Sequence, residues 1–193
     1  MIFFFFFLFP FLSNFLSCDY KPSNLLWDEK TKSVKVCDFG LSMLVKKGEM
    51  LQNEEAKGTP LYISPEVVLE QGSSSARDIY SYGISIYSFV CRKEPFSGHS
   101  NLQQFLRAIT REVNPERPPL PKDELLCPKS LKTLAEDCWT PNYKTRPSFQ
   151  EIIKRFDNDI LVDCAIFDEE GRKFWKKNFF ANNVKNFFIQ KKN

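Results

Sequence analysis

The chain has 193 residues, 42% hydrophobic and 26% charged, a balance that gives one soluble domain of ordinary size a real core and excludes disorder for most of its length. Its 27 lysines and arginines against 24 acids leave a net charge of +3 with the signs interspersed, so charge argues neither for nucleic acid nor for a membrane surface. Six cysteines without a Cys-x-x-Cys pair, and His99 as the single histidine, indicate neither a zinc site nor a disulfide framework and fit the reduced thiols of a cytoplasmic protein.

Residues 1–17, MIFFFFFLFPFLSNFLS, hold eight of the 20 phenylalanines and no charge, and are expected to stand apart from any folded core. A signal peptide wants a basic start and a small-residue cleavage site, and a membrane span wants about 20 apolar residues without an internal proline such as Pro10. Three origins stay open: a mis-set gene start translating a pyrimidine-rich intron end, a signal-like leader, and an anchor. The reading that follows places a domain at 18–157 and an extension of unassigned structure at 158–193.

NLLW at 24–27 and SVKVCDF at 33–39 predict two short strands around a charged turn. A polar loop follows at 44–57. From SPEVVLEQG the chain turns helical, and ARDIYSYGISIYSFVCR at 76–92, apolar nearly all round, predicts a helix buried in the middle of the domain. Further helices are expected at 101–113, 129–139 and 148–161. The last is announced by Pro147, Ser148 and Glu151, a capping-box arrangement. His99, beside Gly98, reads as a surface loop residue, and RPPLP as a rigid inter-helix loop.

Two short runs carry chemistry. CDYKPSN at 18–24 sets Asp19, Lys21 and Asn24 close together, and DFG at 38–40 adds Asp38 before a glycine, Gly40, able to hinge. A carboxylate that orients a hydroxyl, an ammonium that meets a phosphate, and an amide and a carboxylate that hold magnesium together suit phosphoryl transfer.

With GTPLYISPE, RDIYSYG and CWTPNYKTRPSF, these runs make five landmarks in order over about 18–157. In them the chain resembles the eukaryotic-type protein kinases, specifically the C-terminal lobe of the tyrosine-kinase-like group with serine/threonine specificity. The resemblance implies a mainly α fold, a kinase C-terminal lobe with a short β-hairpin near the catalytic loop. It implies ATP and Mg2+ as cofactors and proteins bearing serine or threonine as substrates. Asp19 is then the catalytic base, Lys21 the residue that neutralises the transferring phosphate, and Asn24 and Asp38 the magnesium ligands that, with Lys21, hold the nucleotide. Thr59 shapes the substrate loop. Glu66 and Arg146 form a buried structural pair, and Asp78 holds the catalytic-loop backbone. Phe39 is expected to be buried, and Cys37 to wall the nucleotide pocket.

The pattern also departs from the family. Ser17 and Cys18 stand where the family has histidine and, in many members, arginine, and Ser64 stands where it usually has alanine. The Gly-rich phosphate loop, the strand lysine and its glutamate partner are absent from the sequence, which suggests a truncated gene model lacking the smaller lobe. The chain alone is therefore expected to transfer no phosphate, and a catalytically silent lobe that scaffolds partners is the alternative function. Residues 43–57 contain no serine, threonine or tyrosine, and a thiol at Cys18 cannot grip a phosphate, so activation by phosphorylation within that stretch is not expected.

Overall fold

The computed structural model describes residues 15–163 apart from 31–32, 46–49, 52–56, 73 and 161–162. The readings of residues 1–14 and of nearly all of 158–193 lie outside the described residues. In chain order the elements are β1 (Phe15–Leu16), β2 (Leu25–Asp28), β3 (Ser33–Val36), β4 (Met43–Leu44), α1 (Pro65–Val68), α2 (Ser75–Cys91), α3 (Leu102–Ile109), α4 (Lys129–Cys138) and α5 (Phe149–Arg155).

The strands form two antiparallel pairs. In one, β2 meets β3 with Leu25 opposite Val36 and Asp28 opposite Ser33. In the other, β1 meets β4 with Phe15 opposite Leu44 and Leu16 opposite Met43. This second pair overturns the expectation of a mainly α lobe with one hairpin. Of residues 1–17 the structure describes 15–17, and there Leu16 is fully buried and, with Cys18 and Val45, forms a small core cluster of its own. An uninterrupted apolar run carries no period, so the two residues of that run that pair were indistinguishable from their neighbours.

The main core is built around α2. Ser74 caps its first turn by accepting from the Ala76 N–H, and Arg92, in the left-handed region, ends it. Twelve of its residues are buried. A helix enclosed on all sides must satisfy its own polar side chains, and Ser81 and Ser85 do so by donating to the carbonyls of Arg77 and Ser81, one turn back. Gly83 lets α4 approach: a Cβ there would come within 2.8 Å of the Cys138 Cβ. On α4 the buried residues Leu131, Leu134, Ala135 and Cys138 fall on one helical face.

The helix ends differ from the predicted ones for local reasons. At the end of α3, which stops at Ile109, the Thr110 hydroxyl turns back to the Leu106 carbonyl at 2.7 Å. In α5 the Ser148–Glu151 capping box is formed, and after Arg155 the helix widens into a π turn, Phe156–Ile160. His99 is half-buried rather than on the surface, its Nε2 2.9 Å from Glu116 Oε1 and its ring against Phe105. No cysteine among the described residues is in a disulfide, and no described helix is long and apolar enough to cross a membrane.

Candidate active site

The turn between β1 and β2 carries Asp19, Lys21 and Asn24, and the first turn of α2 holds it in place. Asp78, 2% exposed, accepts from the Ser17 N–H at 2.6 Å and from the Cys18 N–H at 3.0 Å. Those bonds fix Cys18 in the left-handed region at φ 62, a conformation that a non-glycine residue keeps only when its surroundings impose it. Burial pushes the Asp78 carboxyl up to about 6, against the pull of the Ser17 N–H, Arg77 and the Cys18 N–H.

Asp19 is the centre of the site. Its Oδ2 lies 2.7 Å from Lys21 Nζ, and its Oδ1 accepts from the Thr59 N–H at 2.8 Å. Lys21 Nζ also donates to Thr59 Oγ1 at 2.5 Å. The Asn24 amide nitrogen donates to the Asp19 carbonyl at 2.9 Å and to its Oδ2 at 3.1 Å. Burial alone raises the Asp19 carboxyl, but the bonds from Lys21 and Thr59 and the Lys21 charge outweigh it and hold the group below its ordinary value. Asp19 is thus a carboxylate around neutrality.

Asp38 joins this group through the hairpin. The N–H of Cys37 donates to the Asn24 carbonyl at 2.8 Å, extending the β2–β3 ladder so that Asn24 and Asp38 sit at the same end of it. Asp38 is exposed with φ 62, and its Oδ1 accepts from the Gly40 N–H at 3.3 Å. The Asn24 nitrogen is committed to Asp19, so any ligand role falls to its oxygen. Two hard oxygen donors suit magnesium, which takes few protein ligands and shares the rest with phosphates. Phe39 is 49% exposed with its ring edge-on to Phe15 at 5.7 Å, which corrects the expectation that it is buried.

Glu66 and Arg146 stand away from this chemistry. Their side chains meet in a two-point ion pair, 4% and 0% exposed respectively. Arg146 also donates to the carbonyls of Thr140 and Ala76 and lies 5.1 Å from the Tyr80 ring centroid.

The family model described as "Protein kinase domain" matches residues 9–156. The chain belongs to the protein kinase family. The kinase match begins inside the segment set apart at 1–17 and takes in both strand pairs and all five helices, so the expected C-terminal lobe alone is overturned. Among similar proteins of Dictyostelium discoideum, dual specificity protein kinase shkC is 48% identical over 168 residues, 86% of this chain and 32% of its own length. Dual specificity protein kinase shkD is 44% identical over 84% of this chain and 21% of its own length. Dual specificity protein kinase shkA is 41% identical over 89% and 32%. The chain thus spans between about a fifth and a third of the length of these kinases.

Arg77 escaped the sequence reading. It opens the RDIYSYG landmark without a role assigned to it, and an arginine at the start of a helix reads as a solvated charge, yet it is 3% exposed and bonded to two separate segments of the site.

Proposed function

We propose that this kinase domain, of the tyrosine-kinase-like group, takes part in phosphoryl transfer from ATP to serine or threonine hydroxyls of protein substrates. The observation that carries the reading is the closed set of contacts among Asp19, Lys21 and Thr59. Asp19, kept ionised, orients an acceptor hydroxyl and accepts its proton. Lys21 sets a positive charge beside the place where negative charge gathers. Asn24, through its oxygen, and Asp38 would hold Mg2+, and Lys21 would meet the phosphate. Magnesium-bound ATP, when bound, supplies the phosphoryl group and spreads its charge over hard oxygen contacts. The hydroxyl and N–H of Thr59 beside Asp19 support serine and threonine as acceptors, and the names of the relatives favour tyrosine as a second acceptor.

A different reading, a silent module that binds partners, is favoured by one feature: none of the seven glycines falls in a G-x-G-x-x-G run. Manganese, a paramagnetic stand-in for magnesium, separates the two readings when added with ADP to the 193-residue chain. Phosphoryl transfer expects the amide signals of Asn24 and Asp38 to broaden first, and the effect to vanish in Asp38→Ala. No broadening, or broadening that survives Asp38→Ala, supports the silent module.

A further inference from the structure

Cys18 immediately precedes Asp19, and Lys57 stands two residues before Thr59. A single guanidinium nitrogen joins these segments: Arg77 Nη2 donates to the Cys18 carbonyl at 3.2 Å and to the Lys57 carbonyl at 2.7 Å. Between Lys57 and Thr59, Gly58 lies at φ +119, so close that a Cβ would come within 2.6 Å of the Cys18 carbonyl oxygen. The two stretches therefore touch backbone to backbone, with two carbonyl oxygens turned to the same donor. A guanidinium suits that place because it is always charged and holds its N–H groups in a planar fork. Its neighbour Asp78 takes the Ser17 and Cys18 N–H groups. Adjacent side chains on one helical turn thus hold Cys18 by its N–H and by its carbonyl.

We propose that Arg77 is a positioning residue that clamps residues 57–59 onto the catalytic loop and so sets the register of Thr59 against Asp19 and Lys21, with no phosphate needed to order that stretch. Its functional meaning rests on the phosphoryl-transfer reading. The clamp itself does not. Without the guanidinium, the Cys18 and Lys57 carbonyls lose their shared donor, Asp78 loses the positive charge beside it, and the Thr59 N–H loses what keeps it on Asp19.

Amide hydrogen exchange followed by NMR on the full 193-residue chain tests the proposal at neutral pH. Arg77→Met is expected to speed exchange of the Thr59 amide roughly tenfold, the effect of losing the charge-assisted bond that holds the Lys57 carbonyl, while amides 134–138 of α4 keep their wild-type rates. Arg77→Lys, which retains a charged donor, is expected to restore most of the protection. No phosphotransfer is needed, so a chain whose Asn24 and Asp38 signals manganese fails to broaden counts against the proposed function and leaves the clamp standing. A folded Arg77→Met variant whose Thr59 amide exchanges at the wild-type rate overturns the proposal. So does acceleration spread evenly over α2 and α4, which assigns Arg77 to the core alone. If Arg77→Met gives no folded spectrum, Arg77→Gln carries the same readout, and failure of both to fold overturns the proposal.

Discussion

Arg146 grips Glu66 at two points, Nη1 to Oε1 at 2.6 Å and Nη2 to Oε2 at 2.9 Å, across 80 residues of sequence. The pair ties the start of α1 to the turn before α5, and neither side chain has water to fall back on if the other is lost.

Arg146→Met is expected to destabilise the fold by about 3–5 kcal/mol, since it strands the Glu66 carboxylate in the core. Replacing both partners together, Glu66→Leu with Arg146→Met, should cost less than the single change. Urea unfolding of the wild type and the two variants measures this, and a double variant weaker than the single one would contradict it.

Stability should depend on pH in two opposed ways. Asp78 titrates at about 6 in the fold against 3.8 ordinarily, so between those values the folded chain holds a proton that the unfolded chain releases. Its contribution is full below 3.8 and is lost as pH rises to about 6, by about 3 kcal/mol at most. Asp19, held below 3.8, contributes above that value and loses its contribution as pH falls below it. Asp78→Asn should flatten the profile of urea midpoints between pH 3.8 and about 6 and leave the acid limb in place. An unchanged slope in the variant would assign that pH dependence elsewhere.

Gly58→Ala should loosen the site from the backbone side. The left-handed φ strains any L side chain, at a cost of about 1–3 kcal/mol, and the new Cβ presses on the Cys18 carbonyl. The carboxyl of Asp19, followed by 13C NMR, should move up toward its ordinary value as the Thr59 bond is lost. Wild-type titration in a folded variant would show that the segment tolerates the shift.

The 193-residue chain, given labelled ATP, magnesium and a basic protein substrate, is expected to incorporate no phosphate above background, because the sequence holds no glycine-rich phosphate loop. Incorporation that disappears in Asp38→Ala would contradict this and show that these residues suffice.

Where residue pattern and packing agree, the sequence was a good guide. The apolar all-round run of α2 became a helix with 12 buried residues, and the Ser148–Glu151 spacing became a capping box. The spacing of Asp19, Lys21 and Asn24 suggested one site because a short turn leaves such residues little room to part. What stayed hidden depends on contacts distant in sequence. The partner of Phe15 is Leu44, and that of Arg77 is a pair of carbonyls near residues 18 and 57, which no local period encodes. The exposure of Phe39 was equally unreadable, since the residue type alone argues for burial.

The pairing of Phe15–Leu16 with Met43–Leu44 makes a drawstring of two very short strands. Asp19, Lys21, Asn24 and Asp38 lie between the two strands of that ladder, the one strand pairing at its neck among the described residues. Closing the loop between those strands costs about 3 kcal/mol of chain entropy, which the two-residue ladder offsets together with the apolar plug at Leu16, Cys18 and Val45 and the Asp78 bonds to Ser17 and Cys18. The residues that would meet metal and hydroxyl thus travel as one package, and Leu16, far from obvious as a contributor to chemistry, is the knot that keeps it shut.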